Sequence, residues 1–178
     1  GVTGYQKDSL ASVVIDDPRS GLFVRGPDIS PGPDTAVAAY TPADWERSIR
    51  HGVRPDGRPL LVMPSEDYNR LTDADTAALV AYLRGLPPAH GAPAEVRMPV
   101  MVKLLYAAGV VQDAAEKIDH RRPPSQPVPE AADVAHGQYV ANMCMGCHGA
   151  QLSGGRIPGA PRDWPAGGNL TPGEGGTI

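Results

Sequence analysis

Apolar positions recur at helical spacing in three stretches of the chain and are scattered elsewhere. In the first, Trp45 and Ile49 lie four apart and share a face. Thr41 is a good N-cap before them, Pro42 suits the first helical position, Asp44 completes a capping box, and Gly52 closes the helix. In the second, Leu79, Tyr82, Leu83 and Leu86 form an apolar stripe behind a Thr72 cap, with Asp73 and Asp75 in the first turn. Gly85 and Pro87-Pro88 stop it. The third runs from about Ala132 to Met145 and carries Val134, Tyr139 and Val140. Between the last two, Met101 to Ala108 reads as a helix ending at Gly109, and Val111 to Ile118 as another. Arg121 to Pro129 is proline-rich and reads as extended.

The rest reads as loop. Asp17-Pro18-Arg19-Ser20-Gly21 and Pro55-Asp56-Gly57 are turn signals, and Gly26-Pro27 and Pro31-Gly32-Pro33 are breakers, so the first thirty-odd residues look loop-like. Glycine and proline loops also follow His148. No alternating apolar pattern is long enough to predict a sheet. The pattern therefore predicts a mainly α chain of small helical domains, with long Gly/Pro-rich loops and little or no sheet.

Composition sharpens this picture. The 178 residues include 21 glycines and 20 prolines, but only 5% are aromatic and Phe23 is the single phenylalanine. A core this poor in large side chains is hard to build from protein alone, and a buried planar cofactor would supply the missing apolar mass. The net charge of −4 argues against nucleic acid as a partner. The most apolar run, Pro99 to Val111, is too short to span a membrane and contains Lys103. The chain starts at Gly1 rather than Met, as a processed or incomplete chain would.

Cys144-Met145-Gly146-Cys147-His148 carries the chemistry. On a helical turn, residues three apart share a face. Two thiols so placed can add to the two vinyl groups on one porphyrin edge, with the adjacent imidazole beside the iron, as in a c-type haem attachment site. A structural zinc site would need four ligands. With two cysteines in the chain, it would have to recruit a histidine such as His136. A thioredoxin-like dithiol wants a strand and a βαβ context, and a disulfide between adjacent helical turns is poorly placed. Haem c is therefore the expected cofactor, held by Cys144 and Cys147, with His148 on the iron. The free ring N–H of His148 should meet a backbone carbonyl, for which Pro158 is the candidate.

A methionine often takes the opposite side of such an iron. Met63-Pro64 lies in a loop between two helices, after Gly57-Arg58-Pro59-Leu60-Leu61-Val62, and is the first choice. Met98-Pro99 lies in the connector, and Met143 and Met145 are too near the attachment helix to reach the far face. Arg50, His51 and Arg54 lie near the ligand loop, where they suit haem propionates or a solvated helix end equally.

These residues resemble the class I c-type cytochromes, and among them the diheme cytochrome c subunits of periplasmic dehydrogenases. Gly137-Gln138-Tyr139-Val140 before the haem motif resembles the first helix of such a domain. Asn169-Leu170-Thr171-Pro172 resembles the loop after the motif. Ile49-Arg50-His51-Gly52-Val53-Arg54-Pro55-Asp56-Gly57-Arg58 followed by Met63-Pro64 resembles the ligand segment, and Thr72 to Pro87 the last helix. The resemblance implies small cytochrome c-like helical domains, covalent haem, and a periplasmic location or one on the outer face of the cytoplasmic membrane. It implies electron relay from a dehydrogenase to a respiratory acceptor, with redox proteins as partners. A haem enzyme such as a diheme peroxidase, with His51 as a distal acid/base group, is the enzymatic alternative. A non-haem metal-binding module is another.

The order of the parts departs from the family, because Met63 precedes Cys144. Gly168-Asn169-Leu170-Thr171-Pro172-Gly173 also echoes Pro27-Asp28-Ile29-Ser30-Pro31-Gly32. Both facts fit a window on two similar domains. Residues 1–88 would be a first domain lacking its attachment motif, 89–130 a linker with short helices, and 131–178 the start of a second. Met63 would then serve the first haem, and the ligand of the second should lie beyond Ile178. A Met63–His148 pairing would require a permuted fold or exchange between chains.

Overall fold

The computed structural model describes residues 14–17, 21–89, 91–158 and 164–177. Its elements are strands β1 (Val14–Asp17) and β2 (Leu22–Arg25), helices α1 (Pro42–His51), α2 (Ser65–Tyr68) and α3 (Asp73–Gly85), strand β3 (Glu95–Arg97), and helices α4 (Val100–Ala107), α5 (Ala114–Lys117), α6 (Val134–Ala141) and α7 (Met145–His148). A 3-10 turn at Asn142–Cys144 joins the last two helices. The chain divides into two compact units, Gly1–Trp45 with Asp75–Gln112 and Glu46–Ala74 with Asp113–Ile178. Among the described residues, no helix is long and apolar enough to cross a membrane.

The first unit contains a small antiparallel sheet in the order β1-β2-β3, with Asp17 opposite Leu22 and Phe23 opposite Arg97. This hairpin corrects the loop-like reading of the first thirty-odd residues. Strands of three and four residues are too short for alternation to register, and β2 finds its second neighbour some seventy residues away. Pairing, not local pattern, makes the sheet. Positions 18–20 of the turn signal lie outside the described residues. The Arg97 guanidinium lies 4.2 Å from the centre of the Phe23 ring, and Arg25 bonds Glu95 at 2.8 Å.

A loop in this unit is held by its own polar groups. The Asp28 carboxylate accepts the Ser30 N–H at 2.8 Å and the Gly91 N–H at 2.9 Å, while Ser30 Oγ accepts the Ala89 N–H at 2.9 Å. Ile29, Pro31, Val37, Tyr40, Trp45 and Leu83 line a cavity of about 400 Å³ beside it. The stripe on α3 is only half realised. Leu79, Leu83 and Leu86 are half-buried, but Tyr82, read as packed, is 67% exposed. Helix α4 stops before Gly109, whose φ of +70° ends it as the sequence predicts.

Helix α1 opens on the expected capping box. Thr41 donates from its N–H and its hydroxyl to the Asp44 carboxylate, at 3.0 and 2.7 Å, and accepts the Asp44 N–H at 3.2 Å. Trp45 and Ile49 are both buried, and Gly52 ends the helix with φ +65°. In the second unit Arg50 is also buried, bonded to Glu46 at 3.2 Å and Asp73 at 3.0 Å. Its backbone carbonyl accepts from the Asn69 side-chain amide at 3.1 Å. The predicted helix over Val111 to Ile118 shrinks to the four residues of α5. Asp113 caps it there by accepting the Glu116 N–H at 3.0 Å, so residues 111–113 stay outside the helix.

Candidate functional site

The thiol-bearing segment enters on α6. Asp133 caps that helix, accepting the His136 N–H at 2.8 Å. The long helix read from Ala132 to Met145 is present in three pieces, because the backbone tightens into the 3-10 turn before α7 begins. Cys144 closes that turn, and Cys147 and His148 lie on α7. Both cysteines are free thiols, Cys144 half-buried and Cys147 exposed.

The loop after α7 fixes the imidazole. His148 Nδ1 lies 2.8 Å from the Gly168 carbonyl oxygen. A carbonyl can only accept, so Nδ1 carries the proton and Nε2 keeps its lone pair. That is the tautomer an iron-ligating histidine requires. The acceptor is thus Gly168 rather than Pro158. The chain returns there because Gly155 and Gly167 bond each other in both directions, at 3.0 and 2.8 Å, while Leu170 donates to Leu152 at 2.8 Å. Glycine is required at this approach: a Cβ on Gly167 would overlap the Cys147 carbonyl, and one on Gly154 would lie 2.5 Å from the Gly167 oxygen. Asn169 then accepts the Thr171 N–H at 2.9 Å and its hydroxyl at 2.7 Å.

The segment after Met63-Pro64 packs on the same motif. Met63 is half-buried, and α2, two residues further on, lies against the 3-10 turn and α7. Three polar contacts support this packing. Arg70 bonds Asn142 at 3.4 Å, the Thr72 N–H donates to the Tyr139 hydroxyl at 3.0 Å, and buried Asp67 accepts the Gly146 N–H. Burial pushes the Asp67 carboxyl up from its ordinary value, the Gly146 N–H opposes the shift, and Glu66 adds to it. Asp67 sits so close that a Cβ on Gly146 would overlap its carboxylate. Sequence reading missed Asp67, and no local pattern marks it. Met63 and Cys144–His148 therefore belong to one compact unit, whereas Met98 belongs to the other. Arg50 is itself buried and pairs with the exposed carboxylates of Glu46 and Asp73, so the solvated helix end does not describe it. Arg54 reaches Asp56 at 3.9 Å.

These residues fit a covalently held haem. Two free thiols stand one helical turn apart, and the neighbouring imidazole is fixed with one nitrogen unprotonated. No residue of α6, the 3-10 turn or α7 is buried; Val134 is 75% and Val140 41% exposed. Apolar surface is left beside the motif for a planar apolar group to cover. A non-haem metal centre finds less support, since no cluster of three or more His, Cys, Asp or Glu able to hold a metal ion occurs among the described residues.

No family model matches the chain. It is similar to a nicotinate dehydrogenase subunit of Pseudomonas putida, at 30% identity over 80% of this chain and 12% of that protein. It is 29% identical to the fructose dehydrogenase cytochrome subunit of Gluconobacter japonicus, over 57% of this chain and 21% of that protein. With a diheme cytochrome c-type protein of Cereibacter sphaeroides it shares 37% identity over 40% of this chain and 24% of that protein. The chain thus spans less than a quarter of each of these relatives.

Proposed function

We propose that the chain, which is similar to the cytochrome subunits of dehydrogenases and to a diheme cytochrome c-type protein, is a c-type cytochrome that passes electrons from a dehydrogenase toward a respiratory acceptor, in the periplasm or on the outer face of the cytoplasmic membrane. The observation that carries this reading is the fixed tautomer of His148 beside two free thiols. When bound, the haem supplies an iron that accepts and returns one electron. Cys144 and Cys147 would tether it and His148 would offer Nε2 to its iron, with the Gly168 carbonyl holding the imidazole in orientation and raising its basicity. The chain makes no bond to a substrate, so its work is to fix ligands, limit water and leave an edge open to redox partners.

A two-domain organisation, 1–88, 89–130 and 131–178, belongs to the same proposal. Asp28 accepts the Ser30 N–H in the turn where Asn169 accepts the Thr171 N–H, so the sequence echo is also an echo of geometry. Met63 is the proposed iron ligand of the first haem of such a pair. The packing of α2 against α7 favours a second assignment, with Met63 opposite His148.

Spectroscopy of the chain matured in a host competent for haem attachment tests both levels. The expected result is a thioether-linked haem with a reversible one-electron potential, low-spin if Met63 serves the same iron as His148. Catalytic turnover of peroxide would instead support an enzyme. If Met63 faces His148, the weak far-red band of methionine-ligated ferric haem vanishes in Met63→Leu. If Met63 serves another haem, that substitution leaves the spectrum unchanged.

A further inference from the structure

His51 and His120 stand apart from the haem motif and are brought together in the second unit from 69 positions apart. Their rings are stacked, with centres 5.3 Å apart and planes at 24°, and their Nδ1 atoms are 3.2 Å apart. His120 Nε2 lies 2.8 Å from the Ala115 carbonyl, so it carries the proton and leaves Nδ1 as a lone pair. Metal-ligating histidines characteristically engage the second ring nitrogen in this way. The 3.2 Å separation also matches a shared metal. Zinc–nitrogen bonds of about 2.0–2.1 Å in tetrahedral geometry set neighbouring nitrogens about 3.3–3.4 Å apart.

Both side chains stand on held backbone. His51 follows buried Ile49 and Arg50, and the Arg50 carbonyl is fixed by Asn69. His120 follows α5, which is anchored by its Asp113 cap and buried Ala114. We propose that His51 and His120 are two ligands of a site for a borderline divalent cation of the zinc(II) or copper(II) class, with water or an added ligand in the remaining positions. Binding needs no net loss of a proton: the proton that joins the two Nδ1 atoms moves to His51 Nε2, and both Nδ1 atoms turn to the metal. Desolvation, the neighbouring His120 and Arg50 lower the affinity of His51 for a second proton, with Glu46 acting against them. This site does not rest on the electron-transfer reading.

Zinc(II) is the probe, because it has no redox chemistry with iron. It is titrated calorimetrically into the haem-loaded chain, whose cysteines are consumed as thioethers. If the chain carries no haem, the thiols are alkylated first, so failure of the haem reading leaves this test intact. One zinc per chain is expected. His51→Ala and His120→Ala should each weaken binding about tenfold or more, with the double variant little worse than either, and His136→Ala should bind as the parent does. Loss of fold in a variant is bypassed by nitrogen NMR of the reduced parent chain, in which zinc should shift the Nδ1 signals of two imidazoles only. Zinc binding that ignores both substitutions, no zinc binding, or shifts at other histidines would overturn the proposal.

Discussion

Replacing Gly146 by alanine should reverse its effect according to what stands at position 67. Gly146 has helical backbone within α7, where alanine is intrinsically better by about 1 kcal/mol. Its Cβ position, however, is taken by the Asp67 carboxylate, which accepts the Gly146 N–H. The obstruction is the end of a short side chain, so Asp67 can swing aside rather than force the backbone to move. Swinging aside loses a hydrogen bond to a charged group, a loss of about 1.5–3 kcal/mol. The two terms leave Gly146→Ala destabilising by roughly 0.5–2 kcal/mol, a fall of about 1–8 °C in Tm for a chain of this size. In an Asp67→Ala background the obstruction is gone, and the same substitution should raise stability by up to about 1 kcal/mol. Thermal unfolding of the four proteins, followed by far-ultraviolet circular dichroism, closes the double-mutant cycle. A Gly146→Ala change that stabilises the parent, or that acts alike in both backgrounds, refutes the placement of α2 on the motif.

Other outcomes follow from the same contacts. The Asp67 carboxyl is raised in the fold, so the unfolded chain releases that proton first. Stability should therefore fall as pH rises from about 3.9 through the raised value and level off above it; Asp67→Asn should remove that part of a urea-denaturation pH profile. Tyr139→Phe removes the acceptor of the Thr72 N–H and should cost about 0.5–1.5 kcal/mol in the same urea assay. Thr41→Ala abolishes the capping box of α1 and should cost about 1 kcal/mol, with Thr41→Ser close to neutral.

Features encoded within a few residues were legible in the sequence. The Thr41–Asp44 box, the Gly52 and Gly109 stops and the Cys144–His148 spacing are local, and each is visible without knowing the fold. Features made by distant partners were not. Strands β2 and β3 are too short to show a period and exist because they pair. Asp67 looks like any acidic helix residue until α2 meets α7. The Gly168 acceptor lay in between. The sequence predicts a backbone carbonyl but points to Pro158, although Gly168 opens the very segment that echoes residues 27–32. The sparse aromatic content was informative too, since the helices bearing the motif bury none of their own residues.

Intact-mass measurement of the chain, produced in a host that attaches haem and then unfolded in acid, bears most directly on the site. The polypeptide mass should rise by one whole haem, survive denaturation, and revert to the bare chain when Cys144 and Cys147 are both replaced by serine. A parent chain that flies at its bare polypeptide mass under those conditions would contradict the assignment of Cys144, Cys147 and His148 as a haem anchor, and the proposed electron transfer with it.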